Sequence, residues 1–278
     1  MHEGVTTRNN SGVTCVTKVK KAAARLFRDR EANVRLDAFP ACLTPATMAD
    51  GYRVQDELIK TYAGKGHEVG GWKVGLASAK MQELVGISHP IEGPILKSLI
   101  KQNGAEISAN DFLTLCVEAE IGLVVGGDIE PRREPWNTKT IASRIGSAMV
   151  AIEIADDRDS NNAVYKGGGL NIANFVHNVG CVVGTPIQDW LRIDLSKESL
   201  NVFLNGRNIG CGIGKQIMGN PMNSAVWLIN NLSKRGYNLP TGTVILTGCV
   251  TESIWLKKLD RFSVETENLG KGSLKVSD

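Results

Sequence analysis

The chain has 278 residues, a net charge of +3, 42% apolar residues and 22% charged residues, the balance of a globular chain forming one large domain or two small ones. Its basic residues form no stripe and are interspersed with 29 acidic ones, which excludes nucleic acid as a partner class. No apolar run approaches the ~20 residues that cross a bilayer, so the sequence reads as cytoplasmic rather than membrane-bound.

In chain order, Lys18 to Arg30 is basic, with Ala22, Ala23, Ala24, Leu26 and Phe27 interleaved. It reads as a surface-exposed amphipathic helix, with a transit peptide as the alternative. Thr47 with Asp50 three residues on resembles a capping box. Val54, Leu58 and Tyr62 follow at helical spacing, and Gly64 and Gly66 mark the end. The first ~100 residues thus read as mostly helical, apart from a strand around Lys73.

Beyond them the signals become strand-rich. Val117 to Val125 is short, apolar and partly alternating. Ile141, Ile145 and Met149 predict a helix over 137–150, running into a strand at 151–156. Asn205-Gly206 between 202–204 and 207–209 predicts a hairpin with a type I′ turn. Asn220-Pro221 opens a helix with Ala225, Leu228, Ile229 and Leu232 on one face, ended by Gly236. Strands are expected at 243–247, 262–266 and 273–276. The fold class is α+β rather than a doubly wound sheet, because helices and strands do not alternate. A helical N-terminal region, 1–105, is expected to sit on a β-rich body, 106–278.

Cysteines at 15, 42, 116, 181, 211 and 249 form no CxxC pair, so reduced, buried thiols are expected. The four histidines are scattered, which disfavours a His-rich metal site. Carboxylates are better placed. Glu118 and Glu120 share one face of a strand with apolar neighbours, and Glu153 repeats the pattern of an acid inside an apolar strand. Like charges there need a cation between them. A hard divalent ion fits; exposure on an edge strand, or pairing with Arg144 or Arg158, are the alternatives.

Lys73 lies among Gly70, Gly71, Val74 and Gly75. Such a lysine either snorkels to solvent or is buried, where it can move a proton or hold a substrate oxyanion. Gly210 to Lys215 lacks phosphate-loop spacing and reads as turn glycines, and 167–169 reads as a flexible loop. There is no GxSxG elbow and no convincing Ser–His–Asp set.

Four segments, GWKVGLASAKMQELVGI, VEAEIGLVVGGDI, AIEIADDR and GCGIGKQIMGNPMNSAVWLINNLSKRG, together resemble the hydratase/decarboxylase branch of the fumarylacetoacetate hydrolase superfamily. That branch includes 2-oxopent-4-dienoate hydratases and 4-oxalocrotonate decarboxylases. The resemblance spans about residues 50–276 in the same order. It implies a β-rich roll with a helical N-terminal part and a homo-oligomer. It further implies Mg²⁺ or Mn²⁺ on Glu118, Glu120 and Glu153, and Lys73 in contact with substrate. Leu76, Asn174 and His177 become substrate-binding positions, His177 being either a new ligand contact or an ordinary loop histidine.

Hydratases of this branch carry an Asp where this chain has Ile91, in Pro90-Ile91-Glu92-Gly93. Thr247-Gly248-Cys249-Val250-Thr251 is likewise similar to the decarboxylase pattern. The resemblance therefore implies a metal-dependent decarboxylase of a 2-oxo-enedioate in aromatic meta-cleavage catabolism, which could associate with a related hydratase. The rival readings are a hydratase with Glu92 in place of the Asp, and a repurposed member that binds a small acid. The latter is suggested by the altered segment Ala173 to Asn178, which relatives fill with Ala-Asp-Asn-Ala-Ser. Acylpyruvate hydrolysis would need a His–Glu pair, and no histidine is placed for it.

Overall fold

A computed structural model describes residues 11–158 and 168–278. Its helices are α1 (Ser11–Glu31), α2 (Met48–Ala63), α3 (Ala79–Val85), α4 (Thr138–Ala142), α5 (Gly169–Ala173) and α6 (Pro221–Lys234). Its strands are β1 (Val69–Gly75), β2 (Ile91–Leu96), β3 (Ile100–Gln102), β4 (Ala105–Ser108), β5 (Leu115–Val125), β6 (Ile145–Asp156), β7 (Asn178–Val183), β8 (Ser199–Leu204), β9 (Arg207–Ile213), β10 (Val244–Cys249), β11 (Ile254–Trp255), β12 (Arg261–Thr266) and β13 (Lys271–Ser277). None of these helices is long and apolar enough to cross a membrane.

Local chemistry sets the main helices. Thr47 caps α2 by accepting the Asp50 amide at 3.1 Å. Asn220 caps α6 through the Met222 amide at 2.8 Å, with Pro221 in the first turn. Ala22, Ala23 and Leu26 of α1 are fully buried in one cluster with Val54, Leu58 and Tyr62 of α2 and with Phe175. The basic segment is therefore a docked helix, with Lys18, Lys20, Lys21 and Arg28 exposed and Asp29 and Arg30 turned inward, rather than a helix lying free on the surface. Burial of a leucine such as Leu26 or Leu58 contributes about 1.5–3 kcal/mol.

One eight-stranded sheet carries the site, in the order β2-β1-β10-β5-β6-β7-β3, with β11 paired to β5. β2 and β3 are separated in sequence only by 97–99, yet they stand at opposite ends of that order. The chain thereby draws the two ends together and rolls the sheet. Residues alternate between its faces. The inner face carries Ile95, Met149, Ala151, Cys181, Val183, Val244 and Leu246 in one small cluster. Its glycines reflect crowding. A Cβ on Gly93 would lie 2.4 Å from Phe175 O, and one on Gly122 3.1 Å from the Ala151 Cβ. The outer face forms the main core with α6 and with a five-stranded sheet, β4-β13-β12-β8-β9.

The α+β roll is as expected, and the Asn205-Gly206 hairpin forms with positive φ at both residues. Three expectations are corrected. The first hundred residues are less helical than read, since they supply β1, β2 and β3. The helix expected over 137–150 shrinks to α4, capped by Asn137, and β6 starts at Ile145. Ile145 and Met149 share no face of that strand: a register shift between Val124 and Val125 turns Ile145 into the main core, while Met149 joins the inner cluster. The buried run Ala148 to Ile152 decides for a strand covered on both faces. Finally, Gly210 and Gly212 lie in β9 rather than in a turn. A Cβ on Gly212 would meet Val250 O at 2.3 Å, and one on Gly214 would meet Leu195 O at 1.9 Å, so these glycines permit close backbone approach.

The helical layer depends on apolar burial. Leu58→Ala should therefore lower the unfolding free energy by about 2–5 kcal/mol, whereas exposed Lys60→Ala should change it by under about 0.5 kcal/mol. Urea denaturation checks both; a near-neutral Leu58→Ala would contradict this packing.

Candidate active site

Two neighbouring strands bring the acids together. Glu118 on β5 pairs with Glu153 on β6, and Glu120 pairs with Ala151. Glu118 and Glu153 are thus direct cross-strand neighbours, with Glu120 on the diagonal and all three on the inner face. One carboxylate oxygen from each lies within 4.8 Å of the others. Glu120 and Glu153 are fully buried, and Glu118 is half-buried.

Lys73 projects from β1 onto the same face. It is buried, and its Nζ lies 3.1 Å from Glu153 Oε1. It does not snorkel, and Arg158 is committed elsewhere: it donates to Asp156 Oδ2 at 3.0 Å and to Asp29 O at 3.1 Å. Asn178 Nδ2 also donates to Glu153 Oε1, at 3.0 Å. Gly248 N donates to Glu120 Oε2 at 2.6 Å, and Ser253 Oγ donates to Glu118. Gly248 sits where the β10–β5 register shifts, with φ +118°, and a Cβ there would lie 2.4 Å from the Ala77 Cβ. Only glycine can present its amide to Glu120 from that position.

The electrostatics are unbalanced. Burial, then Glu153 and Glu118, push the Glu120 carboxyl well above the ordinary carboxylate range, against the Gly248 amide and Lys73. Burial also raises Glu153, with Lys73 opposing and Glu118 adding to the rise. Burial by itself would depress the Lys73 ammonium, but Glu153, Glu118 and Glu120 outweigh it and the net direction is upward. Lys73 therefore stands as a cation, not as the neutral amine of a lowered pKa. With all three carboxylates ionised, one ammonium would leave two negative charges uncompensated, the charge of one divalent ion. Two buried oxygens, Glu120 Oε1 and Glu153 Oε2, have no hydrogen-bond partner among the described residues. Hard oxygen donors, excess negative charge and unpartnered oxygens together fit a metal ion.

Beside Lys73 the lining is apolar. Ile91 pairs with Gly75, so it shares the face of Lys73. A Cβ on Gly75 would lie 2.9 Å from Val176 Cγ1, 3.3 Å from Ile91 Cγ1 and 3.6 Å from Lys73 Nζ. Ile91 and Val176 are buried in one cluster with Ile87 and Ile172, against which Leu76 packs. Glu92, the next residue, pairs with Val74 and therefore turns to the opposite face. There it is ion-paired with Arg235 and accepts from Tyr52 Oη at 2.6 Å and Asn231 Nδ2 at 2.7 Å. It is not placed to replace an acid at position 91.

Asn174 and His177 are buried in the segment that follows α5. Asn174 Oδ1 accepts from Arg30 Nη1 at 3.1 Å, facing α1 rather than the carboxylates. Phe175, Val176 and His177 all adopt positive φ, 60°, 52° and 62°. This left-handed conformation costs roughly 1–2 kcal/mol per non-glycine residue and is least expected for a β-branched valine. The structure thus gathers Lys73, Glu118, Glu120 and Glu153, sets Leu76 in the adjoining apolar wall, and gives Asn174 a different neighbour. Asn178, Ser253 and the Gly248 amide complete the carboxylate environment and were not singled out as such by sequence. Gly248 carried a signal, the glycine of the Thr-Gly-Cys-Val-Thr segment, and Asn178 ended the altered segment Ala173 to Asn178; Ser253 carried none.

The family model described as Fumarylacetoacetate (FAA) hydrolase C-terminal matches residues 93–277. Among characterised proteins, 2-keto-4-pentenoate hydratase 1 of Dechloromonas aromatica (strain RCB) is 27% identical over 254 residues, covering 91% of this chain and 95% of that protein. The 4-oxalocrotonate decarboxylase of Pseudomonas putida is 26% identical over 230 residues, covering 82% and 84%. Among solved structures, 4-oxalocrotonate decarboxylase from Pseudomonas putida G7, complexed with magnesium and adipate, superposes with a TM-score of 0.84 at 23% identity, covering 94% of this chain and 97% of that one.

The raised Glu120 has a consequence for stability. A carboxyl whose folded pKa lies above its unfolded value binds its proton more tightly when folded, so its contribution falls as pH rises above about 4.5. Stability of the metal-free chain relative to Glu120→Gln should therefore decline as pH rises above that point. Mn²⁺ should raise the melting temperature of the wild type but much less that of the variant. Thermal unfolding against pH, with and without Mn²⁺, checks this; a relative stability that rises with pH would contradict it.

Proposed function

The chain belongs to the fumarylacetoacetate hydrolase family, and on that premise we propose that it is a divalent-metal-dependent decarboxylase of a 2-oxo-enedioate of the 2-oxo-3-hexenedioate type, yielding a 2-hydroxydienoate. Relatives in this family are lyase-type enzymes, hydratases and a decarboxylase, and this chain is an enzyme of that type. The observation that carries the finer reading is the apolar wall of Ile91, Val176 and Gly75 beside Lys73 Nζ. Glu118, Glu120 and Glu153 would hold the ion, with Mg²⁺ or Mn²⁺ suited to three carboxylate oxygens. When bound, that ion supplies positive charge next to the carboxylate and oxo oxygens of the substrate.

The chain's own residues divide the remaining work. In the reaction, the bond to the distal carboxylate breaks and CO₂ leaves. The electron pair passes through the conjugated double bond to the 2-oxo oxygen, which gains a proton. Ile91 and Val176 would surround the departing carboxylate with apolar atoms, removing the water that stabilises its charge before CO₂ forms. Lys73, held as an ammonium by the glutamates, has a proton at Nζ for the oxygen on which charge develops. Leu76 would close the apolar side. A contact from His177 to the substrate is part of the proposal for the segment after α5, whereas Asn174, held by Arg30, supports that segment from the side of α1.

A hydratase reading has support in the several hydratases among the relatives. Water addition calls for a proton donor near the site of Ile91, and Glu92 is turned away from it and engaged by Arg235. The role in aromatic meta-cleavage catabolism, a cytoplasmic setting, a homo-oligomeric state and association with a related hydratase belong to this proposal.

With Mg²⁺ present, the purified chain should release CO₂ from 2-oxo-3-hexenedioate, and Lys73→Ala should lower kcat by about 10² or more. Ile91→Asp, which returns charge and water to the apolar wall, should slow CO₂ release by roughly tenfold or more. Following CO₂ and dienoate absorbance together checks these outcomes. Water addition to 2-hydroxypenta-2,4-dienoate with no CO₂ from the diacid would select the hydratase instead.

A further inference from the structure

We propose that Arg30 of α1 is a positioning residue for the carboxylate cluster, acting at a distance through Asn178. The inference rests on reading Glu118, Glu120 and Glu153 as a metal centre, and it adds a role for the N-terminal helix that this reading does not contain.

Arg30 spans the two ends of the left-handed turn. Its Nη1 donates to Asn174 O at 3.2 Å and to Asn174 Oδ1 at 3.1 Å, while Nη2 donates to Asn178 O at 2.9 Å. Its Nε donates to Tyr62 Oη of α2 at 3.3 Å, and its guanidinium lies 4.7 Å from the centroid of the Phe175 ring. One planar fork therefore joins the carbonyls that flank Phe175, Val176 and His177, the three consecutive residues at positive φ. A conformation of that kind persists only where its surroundings over-determine it, and a guanidinium can span two carbonyls in a way an ammonium cannot.

The far end of this staple touches the site. Asn178 Oδ1 accepts Gly180 N at 3.1 Å, and Nδ2 donates to Gly180 O at 3.1 Å and to Glu153 Oε1 at 3.0 Å. These bonds fix which way the amide points. Glu153 Oε1 is then occupied by Asn178 and by Lys73 at 3.1 Å, which leaves Oε2 as the oxygen without a partner. Asn178 begins β7, paired with Ala155 immediately beside a register shift against β6. The bond from Arg30 to Asn178 O adds a hold from α1 at this irregular end of the strand. Outer contacts of this kind orient a ligand and typically alter metal affinity by 10–100-fold.

The test is calorimetric titration of metal-free protein with Mn²⁺, which reads binding without turnover. Arg30→Met and Asn178→Ala should each weaken Mn²⁺ roughly tenfold or more. The double variant should bind no more weakly than Asn178→Ala alone, because Arg30 acts through Asn178. Circular dichroism and melting curves verify that each variant is folded. Unchanged Mn²⁺ affinity in folded Arg30→Met, or additive losses in the double variant, would overturn the relay. If Arg30→Met does not fold, Asn178→Ala decides: wild-type affinity in that variant overturns the proposal. A wild-type chain that takes up no Mn²⁺ would overturn the metal centre itself, so the two failures are distinguishable.

Discussion

Three carboxylates held on one buried face of a rolled sheet, answered by a single lysine, impose the constraint on which the rest of this structure depends. Taking ionised groups out of water costs several kcal/mol each unless opposite charge and hydrogen bonds compensate. Here the compensation is partial. Lys73 and Asn178 converge on one oxygen of Glu153, Gly248 on one of Glu120 and Ser253 on one of Glu118. Glu120 Oε1 and Glu153 Oε2 remain unanswered among the described residues. A chain selected only for stability would do better with apolar residues at these positions. Their presence fits the proposed site, at which the missing charge would arrive from outside the chain.

The surrounding fold keeps that arrangement in place. Glycines at 71, 75, 93 and 122 thin the inner face of the roll, so that its long side chains, Lys73 among them, have room to cross it. The same thinning brings the turn at Phe175–His177 against β2 and sets Val176 beside Ile91. The outer face is the thick, apolar one. It takes α6 and the second sheet, and it holds the buried Glu92–Arg235 pair away from the chemistry. Charge is thus segregated by strand alternation: two neighbouring residues, Ile91 and Glu92, serve opposite sides of one sheet.

Much of this was legible in the sequence, for identifiable reasons. Glu118 and Glu120 had to share a face because strand periodicity is two, and Glu153 stood out as an acid among isoleucines. The hairpin at Asn205-Gly206 and the caps of α2 and α6 follow from local chemistry that no tertiary contact overrides. What stayed hidden depends on long-range closure. Ile141, Ile145 and Met149 make a helical stripe by spacing, and only pairing with β5, with a register shift that puts Ile145 and Met149 on opposite faces, makes the segment a strand. Nothing local distinguishes a buried Lys73 from one that snorkels, because its partner lies 80 residues away on β6. Arg30 and Asn178 are 148 positions apart in the chain. Only rolling the sheet under the helical layer makes them neighbours.

On the reading proposed above, Glu118, Glu120 and Glu153 form a divalent-metal centre. Crystals of the chain grown with Mn²⁺, measured at the manganese absorption edge, test it most directly. The expected result is one anomalous peak per chain, at coordination distance from a carboxylate oxygen of all three glutamates. An anomalous map with no peak there, with the three carboxylates ordered as described and Lys73 still the sole cation among them, would contradict the account.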